Sequence, residues 1–272
     1  MGNGQKIIVA AAVGSVLTAG GMYLLRKKVS ASSPLVLSRG VRFLDDWPSY
    51  LSYILVPSSP SLEIREEFTI RAVVQWLGLY SPEYHDYDHN ILTTGKVGWD
   101  ESTHRYGFNL HYGYYGMHEG HWELIRANTE QVGPPIYRGS GRWEYTMPRD
   151  NPLDIWGKVV EIVAIFCRGS VKIYKNGLLI GESTCGLITD VKSTGPIYIG
   201  NLAHSLQVHQ TFVGIISSIS LWNKALDYDK LDDRSGLVLE LLLQEGQGNI
   251  AHDTSGHNNH GELKEALWVD GG

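Results

Sequence analysis

Phe68, Ile70, Ala72, Val74 and Trp76 alternate with Thr69, Arg71, Val73 and Gln75, the two-residue period of a strand with one buried face. Over residues 160–166 both parities are largely apolar: Val160, Ile162, Ala164 and Phe166 fall on one face, Val163 and Ile165 on the other. That pattern predicts a central strand covered on each side. Outside residues 7–25 no long helical period occurs, since 225–234 supports at most a short turn and Pro, Gly and Asn punctuate the rest. The chain therefore reads as all-β. Residues 81–154, rich in Tyr, His, Gly and Trp, are longer than a strand pair requires and predict extended loops and extra strands, where specificity on a sandwich resides.

The tail carries the most informative order. Residues 236–268 space an apolar strand, a glycine-rich turn and the polar Asp253-Thr254-Ser255-Gly256 loop before another strand. Residues 40–70 give a strand, a turn, a strand ending in Val56-Pro57, a Ser-Pro-Ser-Leu linker and a Phe-Thr-led strand; 159–180, 195–200 and 214–226 add a central strand with a hairpin and two later strands. Together these pieces resemble a laminin G-like or concanavalin A-like lectin-glucanase jelly roll of pentraxin type, over roughly residues 36–270. The resemblance implies a two-sheet antiparallel sandwich whose chain ends lie side by side. Residues 237–243 and Trp268 are expected to complete sheets begun around Phe43 and Ile54.

Charge divides the chain. Six Lys or Arg and no acid occur up to Leu44, leaving 17 basic against 29 acidic groups in the remainder. An acidic sandwich excludes nucleic acid as its partner, because phosphate binding needs a basic surface. At the basic end, residues 7–25 are uncharged and flanked by Lys6 and Arg26-Lys27-Lys28, long enough to cross a bilayer core of about 30 Å as a helix. The expected organisation is a single-pass signal anchor (1–28, helix about 7–25), a short linker (29–35) and the sandwich (36–270). A cleaved signal peptide is the alternative, but Leu17 suits a cut after Ala19 poorly and the basic triplet suits an anchor. The linker is too short to hold the domain far from lipid. Small residues four apart in the run (Ala10, Gly14, Ser15, Ala19) either let helices approach closely or only lower its hydrophobicity.

The flanking charges favour a domain facing the cytosol. No Asn-x-Ser/Thr sequon occurs, and only two cysteines are present. The anchor resembles those of mitochondrial outer-membrane proteins, so that membrane or an endomembrane is expected; the laminin G resemblance implies a cell-surface or extracellular domain as the alternative. A three-residue loop at Lys175-Asn176-Gly177 would pair Tyr174 with Leu178 and set Cys167 opposite Cys185, as a disulfide or as two core thiols.

Candidate chemistry is sparse. Glucanases of this shape commonly present Glu-x-Asp-x-Glu on one strand, and no such triplet exists, leaving only single acids such as Glu144 and Glu161 that could pair across a sheet. Calcium is the cofactor the resemblance implies, with the Asp253 carboxylate, the Asn258 amide and carbonyls around Gly256 as oxygen ligands. The competing reading is a turn in which Asp253 caps backbone amides. His85 with His89, and His118 with His121, bring imidazoles together without completing a zinc or copper set, and read as exposed loop histidines. In the aromatic stretch 106–115 and just beyond it, Tyr112, Tyr114 and Trp122 are candidates for a ligand surface, against a core role for about half the rings by alternation.

The sequence thus predicts a membrane-anchored, non-catalytic binding or scaffolding module, acting with protein partners as an accessory subunit of a membrane assembly. A calcium-dependent carbohydrate-binding protein is the alternative, and a glycoside hydrolase the remote one.

Overall fold

The structure, a computed structural model, describes residues 37, 39–43, 52–77, 86–94, 105–115, 120–129, 142–150, 155–168, 170–184, 195–201 and 211–270, with backbone alone for 86–88, 105–107, 113–115, 120–129, 142–150 and 183–184. The predicted anchor (7–25) and linker (29–35) lie outside the described residues, and no described helix is long and apolar enough to cross a membrane. The strands are β1 (Arg39–Phe43), β2 (Tyr53–Val56), β3 (Glu67–Trp76), β4 (Asp86–Thr94), β5 (Arg105–Tyr115), β6 (Gly120–Thr129), β7 (Arg142–Asp150) and β8 (Val159–Cys167). They continue as β9 (Ser170–Lys175), β10 (Leu178–Thr184), β11 (Ile197–Ile199), β12 (Gly214–Trp222), β13 (Leu237–Leu241), β14 (Ile250–Ala251), β15 (Gly261–Lys264) and β16 (Leu267–Asp270).

Two eight-stranded antiparallel sheets result. The first runs β10-β9-β8-β3-β12-β1-β16, with β13 pairing the far half of β12; the second runs β14-β15-β2-β11-β4-β5-β6-β7. The alternation over 68–76 buries Phe68, Ile70, Ala72, Val74 and Trp76, and Phe68 stacks on Phe108 of the second sheet at 4.3 Å between ring centroids and on Phe166 at 5.1 Å. This three-ring stack joins the sheets through the core. Residues 160–166 form the interior of β8, which lies between β3 and β9, and all seven are buried. Its outer face is covered by the chain after β12, where the Thr69 hydroxyl donates to the Lys224 carbonyl and accepts from the Leu226 amide.

The chain ends meet as the tail pattern implies: β16 pairs β1, with Trp268 opposite Val41, and β15 pairs β2, with Leu263 opposite Ile54. Strand 237–241 joins the sheet begun at Phe43, as the tail pattern implies, by pairing β12, the neighbour of β1. The stretch 81–154 holds a four-strand meander, β4 to β7, that builds half of the second sheet.

The hairpin between β9 and β10 is tighter than predicted. Asn176 and Gly177 both take positive φ (48° and 82°), so two residues turn the chain and Lys175 faces Leu178. Asn176 tolerates this backbone because its side-chain oxygen accepts from the Glu161 amide at 2.8 Å. The predicted Cys167–Cys185 opposition fails for a related reason. A second tight turn ends β8, Cys167 faces Ser170 of β9, and β9 separates β8 from β10. The Cys167 thiol is free and exposed, with Glu67 Oε1 3.6 Å from its sulfur, while Cys185 lies outside the described residues.

Among the histidines, His89 departs from the loop reading. It lies on β4, buried, with its ring edge-on to Trp76 at 5.1 Å. Burial drives its pKa down to about 4, the neighbouring His111 adds to this, and a hydrogen bond to the Thr211 backbone opposes it. The unfolded chain therefore takes up this proton first as pH falls. Stability is unaffected by His89 above pH 6.5 and is lost between pH 6.5 and about 4, by roughly 3 kcal/mol in total. Chemical denaturation from pH 7 to 4 is expected to show this loss in the parent chain and a shallower slope in His89→Phe; equal slopes would remove His89 from the account.

Candidate functional site

The sequence-predicted calcium loop is built as a turn. Asp253 Oδ1 accepts from the amides of Glu240 and Ser255, both at 2.9 Å, and Oδ2 accepts from the Ser255 hydroxyl at 2.7 Å and the Asn259 amide at 2.8 Å. Burial alone pushes this carboxyl's pKa up, but the four donors outweigh it and hold the group below its ordinary value. Gly256 and Asn258 take left-handed backbone (φ 98° and 59°) on the exposed side of the loop, away from a carboxylate that is 8% exposed. The adjacent Asn259 was missed by sequence reasoning. Its amide donates to the Val238 carbonyl and to Ser61 Oγ, and its side-chain oxygen accepts from Ser59, tying the loop to β13 and to the 59–61 turn.

Calcium requires six to eight oxygens, carboxylates among them, and the Asp253 carboxylate is already turned inward onto four donors. The geometry of this loop does not fit the ion. Among the described residues no group of three or more His, Cys, Asp or Glu is placed to hold a metal.

Of the predicted ligand aromatics, Tyr112 is a correction. It follows Phe108 and Leu110 on the inner face of β5, is 1% exposed and packs on Trp76 at 5.6 Å between centroids. Tyr114 faces Tyr87 and Gly120 in register, and Trp122 faces Tyr112. The side chains of Tyr114 and Trp122 are outside the described ones.

The paired-acid idea also fails on topology. Glu161 is on β8 in the first sheet and Glu144 on β7 in the second, so no shared sheet face brings them together. Glu161 is occupied as well. Arg71 reaches its Oε2 at 2.6 and 2.8 Å, and the Tyr228 hydroxyl donates to its Oε1 at 2.8 Å. Tyr228 stacks on Tyr174 at 4.6 Å, and burial, followed by the bond to Glu161, pushes its pKa up to about 12. This network straps the 223–236 segment to the outside of the first sheet.

Near its β14 edge the outer face of the second sheet presents a row of partly exposed side chains among the described residues. Ile54 and Val56 point inward on β2, so Tyr53 and Leu55 point outward and are half-buried. On β11, Ile197 and Ile199 point inward and Tyr198 outward, half-buried. Register sets Leu55 between Glu262 of β15 and Tyr198, and sets Lys264 opposite Tyr53. The Tyr53 and Tyr198 rings meet at 5.5 Å, tilted by 46°. Burial, then the neighbouring Tyr53, raises the Tyr198 pKa, so this phenol stays a protonated donor at neutral pH. Across β15, Ile250 of β14 faces Glu262 and is exposed, and His252 and His260 meet edge to face at 5.2 Å. The result is an aromatic and aliphatic platform four strands wide that carries a Lys264–Glu262 ion pair at 2.6 Å.

The platform escaped the sequence reading because Tyr53 and Tyr198 look like ordinary strand residues. The usable signal was their phase: Tyr198 sits between Ile197 and Ile199, and Tyr53 is out of phase with Ile54 and Val56, so each faces away from its inward aliphatic neighbours.

Two sheets of this topology, closed by strands from both chain ends, define a lectin-like jelly roll. The family model of the concanavalin A-like lectin/glucanases superfamily matches residues 52–231, about two thirds of the chain, and the chain belongs to that family. It is similar in structure to a Bacteroides ovatus protein assigned as carbohydrate-binding (TM-score 0.58, 16% identity, 88% of this chain and 61% of that one). It is also similar to the heptameric SAP-like pentraxin of Limulus polyphemus (TM-score 0.54, 11% identity, 88% of this chain and 97% of that one). At these identities the likeness is one of fold. No curated protein matches the chain.

The Asp253 reading is tested by Asp253→Asn, which places an amide among four donors and is expected to cost about 2–3 kcal/mol of stability. Thermal melts with calcium and with chelator are expected to coincide for parent and variant; a calcium-dependent rise in the parent would restore the metal reading.

Proposed function

We propose that this chain is a non-catalytic binding module that takes glycan on the outer face of the β14-β15-β2-β11 half-sheet. The observation that carries the proposal is the Tyr53–Tyr198 pair, half-exposed and flanked by Leu55 on an otherwise regular sheet face. Such rings offer apolar surface to the C–H faces of a sugar and phenolic hydroxyls to its polar edge. Catalysis by the usual route would need two carboxylates about 5–10 Å apart across the scissile bond. Among the described residues the platform presents one, Glu262, and it is paired with Lys264. Family membership and the fold of the Bacteroides protein support a binding role of this kind.

A second element of the proposal is placement. The 19-residue uncharged run at 7–25, with basic residues on its far side, supports tethering of the module to a membrane, facing the cytosol, where it acts as an accessory subunit beside protein partners. The two elements are compatible, since a tethered module can display a glycan platform.

A glycan array probed with the full chain in mild detergent tests the first element. Binding to some neutral or acidic glycans is expected, with a loss of about ten-fold or more in Tyr198→Ala, since one well-packed ring is worth about 1.5 kcal/mol; an array without binding would end the glycan reading. For placement, the chain is expected to stay in the membrane pellet after alkaline carbonate, with the sandwich cleaved by protease added to the cytosolic face. Release into the supernatant would remove the anchor.

A further inference from the structure

We infer that the platform selects uncharged sugar rings and that Glu262 sets this selectivity; the inference rests on the glycan-binding reading above and names the ligand class for the same surface. A sugar seated on Tyr53 and Tyr198 lies beside the β15 residues that face them. Lys264 is directly opposite Tyr53, and Glu262 is directly opposite Leu55, two residues after Tyr53 on the same strand face. Left alone, the Lys264 ammonium would make this corner of the platform an attractor for carboxylate or sulfate on a sugar. It is not left alone. Glu262, two residues earlier on the same strand face, holds its Nζ at 2.6 Å.

Paired in this way the two charges cancel for any group more than a few ångströms away. An incoming anion meets the Glu262 carboxylate as closely as the Lys264 ammonium. The surroundings add nothing in the anion's favour. From Asp45 onward the chain carries 29 acidic against 17 basic groups. A neutral hydroxyl-bearing ring meets no such opposition and finds apolar contact on Leu55, Ile250 and the two tyrosines. Glu262 is thus a specificity-determining residue. Its role is to neutralise a neighbour, not to touch the sugar's reacting atoms.

The test compares neutral and sialylated or sulfated oligosaccharides of matched length by calorimetry with the full chain, at low and at moderate salt. The parent is expected to prefer the neutral member, with an affinity that changes less than about two-fold with salt, because no net charge is neutralised on binding. Glu262→Gln frees Lys264 and is expected to raise affinity for the acidic member about five-fold, the scale of one exposed charge pair, and salt should suppress that gain. The double variant Glu262→Gln with Lys264→Met is expected to lose the gain for the acidic member, because no free ammonium remains, which ties the gain to the Lys264 charge and not to a general loosening of β15. Preference of the parent for acidic glycans, or an unchanged selectivity in Glu262→Gln while Tyr198→Ala still abolishes binding, overturns the inference alone. Binding of neither class by the parent overturns the glycan reading and the inference together.

Discussion

The stack of Phe166, Phe68 and Phe108 is the contact on which the rest of this protein depends. Phe68 and Phe166 are neighbours in one sheet, Phe108 belongs to the other, and the rings hold the two inner faces in register through the centre of the core. Aromatic pairs of this kind add about 0.5–1.5 kcal/mol each beyond the burial of their surface. Once the inner faces are committed, the two outer faces are all that remains for anything else. They have been used differently. The first sheet's outer face is closed by the strap that Glu161, Arg71 and Tyr228 fasten, and by Leu226 lying over Thr69. The second sheet's outer face near β14 carries no described strap of that kind and presents Tyr53, Leu55 and Tyr198.

The same division shows in the described buried carboxylates, which fasten segments to the sheets. Glu161 is among the most buried acids described, and a carboxylate in that position survives only with full partners. It has them in a guanidinium and a phenol. Asp253 is a second example, fixed by four donors into the knot that joins the tail to β13. Glu161 and Asp253, two acids that sequence alone leaves open as chemical groups, are both spent on holding a segment in place.

Much of the fold was legible in the chain. The alternation at 68–76 and the two-sided run at 160–166 became β3 and β8, and the tail pattern led to the pairing of β15 with β2 and β16 with β1. The candidate site was far less legible, for reasons that particular residues show. Tyr112 lies in phase with Phe108 and Leu110, so its alternation marked a core ring, yet the density of rings around it suggested a surface. Asn258 and Asn259 are identical in type; which one turns inward is decided by a left-handed backbone at the first, and no sequence signal distinguishes them. Cys167 was misplaced because the chain turns once more between β8 and β9, so that Cys167 ends β8 opposite Ser170 and does not lie on the strand that pairs β10. Tyr53 and Tyr198 are 145 residues apart and become a pair only because β2 and β11 are neighbours.

The central claim is that the ligand face is the outer surface of the β14-β15-β2-β11 half-sheet and not the loops at its ends. Backbone amide chemical-shift mapping of the full chain in detergent, titrated with a neutral oligosaccharide found to bind, tests it most directly. The account predicts that shifts concentrate at Tyr53, Leu55, Tyr198, Ile250, Glu262 and Lys264. Shifts confined to the 253–261 loop, with those six positions unmoved, would contradict it.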